Sequence, residues 1–134
     1  MQEKPAARPA LLLENITAMA TKRQKIVNET LTALVPMLPL DEAIIVREMV
    51  SRKHLRSLPA QKAVWLCLIA YIRHVHTDYD ALLDEGYDRD SARHFVLDGI
   101  NDVLQGWHGS RFLVMDDEAL DVEIPVKSAD QSAG

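Results

Sequence analysis

The sequence predicts an all-α fold, a small bundle of four helices, and three observations lead to this prediction. Apolar residues recur every three or four positions over four long stretches, which is the spacing of one face of a helix. Prolines, or a glycine followed closely by an aspartate, separate these stretches, and such residues mark where helices end and begin. Aromatic residues make up only 5 % of the 134 residues, so aliphatic side chains must fill the core.

The first two predicted helices lie in the N-terminal half. Asn15 is placed to cap a helix that runs from Ile16 to Val35, and Pro36–Pro39 forms the turn that follows it. Asp41 is the expected N-cap of a second helix, which ends in the cationic stretch Arg52–Arg56. The side chains expected to point inward from this second helix are Ile44, Ile45, Val46 and Met49.

A long third helix is predicted from Pro59 to Glu85, with the proline in its first turn. Residues 64–72 are apolar on nearly all sides, so this segment is expected to form the centre of the bundle. The residues of its main apolar stripe are Val64, Leu68, Ile72, Val75, Tyr79 and Leu82.

A tight corner is predicted between the third and fourth helices. Gly86 is expected to take a positive φ just beyond the third helix, with Tyr87 following it. Asp88 is then the expected N-cap of a fourth helix that runs from Arg89 to Gln105 and is ended by Gly106. The side chains expected to be buried from this helix are Ala92, Phe95, Val96, Ile100, Val103 and Leu104.

The chain divides into one domain with looser ends. We expect a flexible N-terminal arm (1–14), a helical domain (15–107), a C-terminal extension (108–126) and a disordered tail (127–134). Within the extension, Phe112–Met115 and Val122–Val126 suit a short β-hairpin. The longest apolar run has nine residues, the start lacks a signal-peptide core, and Cys67 is the single cysteine. These features predict a soluble cytoplasmic protein with no membrane partner.

Charge is distributed unevenly along the chain. Residues 1–62 hold ten Lys or Arg against six Asp or Glu, whereas residues 63–134 hold five against fourteen. The basic cluster is Lys22, Arg23, Lys25, Arg47, Arg52, Lys53, His54 and Arg56. Arg52, Lys53 and Arg56 are the candidate nucleic-acid contacts. The favoured interpretation is instead two oppositely charged faces, or a dimer, because the net charge of −5 repels phosphate and no nucleic-acid-binding motif is present.

Histidines and aspartates cluster in the third predicted helix. His74, His76, Asp78 and Asp80 are the candidate metal ligands. On a continuous helix these side chains point in directions too different for them to bind one metal ion together. Ordinary i,i+4 pairs are therefore favoured for His74 with Asp78 and for His76 with Asp80. Arg73, His76, Thr77 and Asp80 form a polar band that is either a shallow binding pocket or a hydrated face.

The same region carries a resemblance. Lys62–Trp65, Tyr71–Asp80, Gly86–Arg93 and Trp107 resemble the bacterial and fungal "domain of unknown function 2293" family over residues 62–107. This resemblance implies no activity, ligand or partner. It does imply that residues 73–80 belong together as the distinctive element of the chain.

The sequence contains no catalytic motif. Cys67 lies in the most apolar segment, where its pKa is expected to rise, and phosphate-binding loops and nucleophile motifs are missing. We therefore predict a non-catalytic binding or interaction module, with a protein partner or a second copy favoured over nucleic acid. The alternative is a metal-binding protein or enzyme that uses the His/Asp cluster. No cofactor is expected.

Overall fold

A computed structural model describes residues 22–115 of the chain, and this part is all-α as predicted. It contains no β-strand. The elements are α1 (22–34), α2 (Leu40–Val50), a short 3-10 helix (Lys53–Leu55), α3 (Ala60–His76), α4 (Tyr79–Asp84) and α5 (Arg89–Gly106).

Helix α3 lies at the centre of the fold, as its apolar sequence predicts. Every residue from 63 to 73 is buried, and α2 and α5 both pack against this helix. Aliphatic side chains supply most of the surrounding core, because the chain has few aromatic residues. The fully buried members contributed by the flanking helices include Val46, Met49, Ile100 and Leu104.

The continuous third helix predicted from Pro59 to Glu85 is wrong, because the chain breaks between α3 and α4. Thr77 is extended, with φ −131° and ψ 173°. Its hydroxyl donates to the Arg73 carbonyl and accepts a 3.2 Å hydrogen bond from the Tyr79 N–H. A threonine side chain that bonds the backbone in this way competes with the helical ladder. The described residues therefore hold five α-helices where the sequence predicted four.

The predicted corner after α4 is confirmed at Gly86, where φ is +105°. The Tyr87 N–H donates to the Leu82 carbonyl at 3.1 Å, and the Gly86 N–H donates to the Leu83 carbonyl at 3.0 Å. This pair of bonds is the Schellman motif, which ends a helix by satisfying its last carbonyls. The chain can therefore turn directly from α4 into α5.

One of the two predicted aspartate caps is confirmed. Asp88 precedes α5, and its carboxylate accepts a 2.7 Å hydrogen bond from the Ser91 N–H. The other cap is wrong, because α2 begins at Leu40 with Pro39 in the capping position. Asp41 lies in the first turn of α2, where its charge still favours the positive end of the helix dipole.

Two side chains predicted to be buried are exposed. Ile44 on α2 is 54 % exposed, and Phe95 on α5 is 59 % exposed. Each helix buries a narrower face than predicted. On α2 the buried residues are Ala43, Val46, Met49 and Val50, and on α5 they are Ala92, Val96, Ile100 and Leu104. Ile44 and Phe95 each lie one residue from these faces, and one residue is about 100° of helical rotation.

Helix α5 ends later than predicted, because it includes Gly106 and is terminated by His108. His108 has φ +58°. Its N–H donates to the Gln105 carbonyl at 3.0 Å, and the Gly109 N–H donates to the Leu104 carbonyl at 2.7 Å. This is a second Schellman motif, with a histidine in the position that glycine usually takes.

The segment after α5 packs on the bundle as irregular chain. The Ser110 N–H donates to the Leu34 carbonyl at 2.9 Å, and the Asn101 side chain makes two hydrogen bonds with the Leu113 backbone. Phe112–Met115 forms no strand, and the second predicted strand, Val122–Val126, lies outside the described residues. The arm at 1–14 and the tail at 127–134 also lie outside them, so the domain boundaries stay predictions.

Candidate functional site

The distinctive element of residues 73–80 is organised around the break between α3 and α4. Arg73 is only 3 % exposed, and its guanidinium carbon lies 5.5 Å from the centroid of the Tyr79 ring. Tyr79 is itself buried. Arg73 is thus part of the interior, and it does not lie on a solvent-facing band with His76, Thr77 and Asp80.

His74 and Asp80 pair with each other across the break. His74 Nδ1 lies 2.7 Å from Asp80 Oδ1, and the His74 ring meets the Tyr79 ring edge to face. The i,i+4 pairs predicted for this region assumed a continuous helix. Because Thr77 interrupts the helix, Asp80 is displaced toward His74, and Asp78 is left exposed.

His76 joins α3 to α2. Its Nε2 contacts Glu42 Oε1, and the Tyr71 hydroxyl donates to the same oxygen at 2.7 Å. The His76 ring also meets the rings of Tyr71 and Trp107, with centroids 5.8 and 5.4 Å away. Burial raises the pKa of Tyr71, and its bond to Glu42 raises it further. Glu42 was not singled out by the sequence, because this contact spans two helices.

The predicted metal ligands are divided between these two arrangements. His74 and Asp80 lie together, whereas His76 contacts Glu42. Within residues 22–115, no group of three or more His, Cys, Asp or Glu side chains is arranged to hold a metal ion. Burial also raises the pKa of the Cys67 thiol to about 12, which leaves it a poor nucleophile at neutral pH.

A basic groove runs between α1 and α2, with a volume of about 800 Å³. Four cationic side chains, one carboxylate and three aliphatic side chains line it, and of the aliphatic residues Ile44 is exposed. The cations are Lys22, Arg23, Arg47 and Arg56, the carboxylate is Glu48, and the aliphatic residues are Val27, Ile44 and Val50. We call this surface the basic groove.

Hydrogen bonds to backbone carbonyls hold two of these guanidinium groups in place. Arg23 Nη2 donates to the Leu55 carbonyl at 3.1 Å, and Arg56 Nε donates to the Ser51 carbonyl at 3.3 Å. Each guanidinium has five N–H donors, so such anchoring leaves other donors for a ligand.

Of the three nucleic-acid contacts predicted from the sequence, the basic groove includes only one. Arg56 lines the groove, whereas Arg52 and Lys53 do not. Arg52 donates to Glu48 Oε1 at 3.3 Å, and Lys53 lies exposed in the 3-10 helix.

A second, shallower groove lies beside α4 and α5, with a volume of about 540 Å³. Two residues of the predicted polar band, His76 and Thr77, line it together with Asp78. Its apolar wall includes Tyr87 and Phe95, whose rings meet edge to face with centroids 5.3 Å apart.

Comparison with known proteins identifies the family of this chain. No described helix is long and apolar enough to cross a membrane. Searches of curated proteins and of solved structures find no match. The sequence profile described as "Uncharacterized conserved protein (DUF2293)" matches residues 2–108, which is most of the chain and includes the whole 62–107 region of resemblance. The chain therefore belongs to the family of domain of unknown function 2293.

Proposed function

We propose that this domain is a non-catalytic interaction module whose basic groove binds an acidic, partly apolar segment of a protein partner. The observation that carries the proposal is the composition of the groove, which four cations and one carboxylate line together with the exposed aliphatic side chain of Ile44. Carboxylates of the partner would pair with the cations, and its apolar side chains would cover the aliphatic surface.

The exposed aliphatic surface favours a protein segment over nucleic acid. Ile44 is 54 % exposed in the groove, and burying such a side chain against a partner is favourable. Phosphate groups offer no apolar surface to cover it. The net charge of −5 also repels a polyanion at long range, whereas a short acidic peptide is repelled less.

The contacts made by the reactive side chains support a non-catalytic role. Cys67 is fully buried, whereas His76 is exposed but bonds Glu42 and meets the Tyr71 and Trp107 rings. The contact between Glu42 and His76 joins α2 to α3, which is a structural role for these two side chains.

Fluorescence anisotropy with the full chain tests the proposal. The probe is a short labelled peptide of alternating Glu and Leu, and the matched peptide has Ser in place of Leu. We expect the Glu/Leu peptide to bind more tightly than the Glu/Ser peptide, because only the former covers the aliphatic surface. Tighter binding of a labelled oligothymidylate or a short DNA duplex would overturn the proposal in favour of nucleic acid.

Charge reversal locates the binding site. The double variant Arg47→Glu, Arg56→Glu should weaken binding of the Glu/Leu peptide about tenfold, since tenfold corresponds to about 1.4 kcal/mol and two partly exposed ion pairs are lost. The control Lys25→Glu, Lys53→Glu changes the net charge equally at exposed positions outside the groove. Equal weakening by both double variants would mean that overall charge, and not the groove, attracts the peptide.

A further inference from the structure

The corner between α4 and α5 is an exposed acidic ridge. All residues from 84 to 90 are exposed. They include four carboxylates and one cation, a net charge of −3; these residues are Asp84, Glu85, Asp88, Asp90 and Arg89. Tyr87 lies among them at 42 % exposure, and its ring contacts Phe95, which is 59 % exposed. We call residues 84–90 with Phe95 the acidic corner.

The basic groove has the opposite properties. Its charged lining sums to +3, and it offers exposed aliphatic surface at Ile44. The acidic corner thus presents an apolar centre with a negative surround, and the basic groove presents an apolar surface with a positive surround. Complementary charge and apolar area are the features that two surfaces need in order to associate specifically.

We propose that the acidic corner of one copy of this chain docks into the basic groove of a second copy. This inference rests on the proposed function and names the partner that occupies the groove. The aromatic pair Tyr87 and Phe95 covers the exposed side chain of Ile44, while the four corner carboxylates face the four groove cations.

The corner is well suited to docking because it is rigid before it binds. The Schellman bonds at Gly86 and the cap from Asp88 to the Ser91 N–H fix both sides of the turn. The backbone at Tyr87 is therefore held in position, and binding loses little backbone conformational entropy. Surface aromatic residues on a rigid element are typical anchors of protein interfaces.

The two surfaces belong to different elements, so the contact is head to tail. The groove is formed mainly by α1 and α2, whereas the corner joins α4 to α5. A copy that has docked its corner still has a free groove. Such a heterologous contact grows into rings or open chains, and it is not limited to a two-fold dimer.

Sedimentation velocity of the full-length chain tests the contact. The weight-average molar mass should rise above the monomer value of 15.1 kDa with increasing protein concentration, and it should fall at high salt. The corner variant is Asp84→Lys, Glu85→Lys, which spares the turn glycine and the aspartate cap. The groove variant is Arg47→Glu, Arg56→Glu. Each variant alone should remain monomeric, whereas Lys25→Glu, Lys53→Glu should associate like the unmodified chain.

Mixing the two variants is the decisive measurement. The corner variant keeps an intact groove, and the groove variant keeps an intact corner. An equimolar mixture should therefore form at least a heterodimer, of twice the monomer mass, through the intact groove of one variant and the intact corner of the other. Reassociation also shows that both variants are folded, and far-UV circular dichroism of each checks this directly.

Three outcomes would overturn the inference. The unmodified chain could stay monomeric at every concentration, either variant could associate alone, or the mixture could fail to form a heterodimer. The proposed function is judged separately by the Glu/Leu peptide. If that peptide binds the groove while the unmodified chain stays monomeric, self-docking fails and the proposed function stands; if neither occurs, both fail.

Discussion

Replacing Gly86 by alanine tests the corner on which the path of α5 depends. Gly86 has φ +105°, in a region that L-residues adopt at a cost. A Cβ added to this residue would meet no heavy atom within 4 Å. The substitution therefore introduces backbone strain without a steric clash, which makes the expected effect simple to interpret.

The expected loss follows from that geometry. Placing an L-residue in the left-handed region costs about 1–2 kcal/mol. Alanine also lowers the conformational entropy of the unfolded chain, which stabilises the fold by about 0.4–1 kcal/mol and offsets part of this cost. The free energy of unfolding should therefore fall by about 1 kcal/mol, which lowers Tm by about 4 °C for a domain of this size.

Urea unfolding followed by far-UV circular dichroism measures this change, and Gly106→Ala is the matched control. Gly106 lies in the last turn of α5, it lacks a positive φ, and an added Cβ there also meets open space. Alanine is the better helix former, so Gly106→Ala should stabilise the domain by up to about 0.5 kcal/mol. The two substitutions are chemically identical and should have opposite signs. A neutral or stabilising Gly86→Ala would refute the left-handed turn at this corner.

Three further predictions follow from the same structure. His108→Gly should raise the free energy of unfolding by about 1 kcal/mol in the same urea assay, because it removes a non-glycine residue from the left-handed region; a loss of stability would show that the histidine side chain contributes more than its strain. Hydrogen bonds from Ser91 lower the pKa of Asp88 below its usual 3.8, so the ionised cap stabilises the fold above that pH. As pH falls through the lowered pKa, this contribution to the free energy of unfolding is lost. The difference in stability between the unmodified chain and Asp88→Asn should then shrink, and a difference that stays constant would contradict the assignment of Asp88 as an ionised cap. Cys67, with its pKa raised to about 12, should resist a thiol reagent at pH 8 in the native chain and react after denaturation, whereas rapid native labelling would place it at the surface.

The sequence was informative where structure depends on neighbouring residues. The corner was predictable because its glycine, its aspartate cap and the apolar spacing on either side act within one or two turns. The central position of α3 was predictable because residues 64–72 are apolar on every side and must be buried. The all-α fold follows from the same local periodicity.

Other expectations failed where two local effects compete. Apolar spacing continues through residues 64–82, and the sequence interpretation followed this spacing without considering the Thr77 hydroxyl. In the fold, that hydroxyl bonds the backbone on both sides and ends α3, and this break moves Asp80 from His76 to His74. Apolar periodicity indicates only which residues are buried, so it does not show where a side-chain hydroxyl competes with the helical hydrogen bonds.

The candidate site depends on tertiary structure because its residues are far apart in the chain. The basic groove combines Lys22 and Arg23 on α1 with Arg47 on α2, and the contact between Glu42 and His76 spans 34 residues. The sequence by itself determined which segments are helical, which of them is central, and that charge is segregated between the two halves. Only the packing of α1 and α2 decided which cations share a groove and which side chains, such as Ile44, remain exposed, because the relative rotation of packed helices is set by side chains from both.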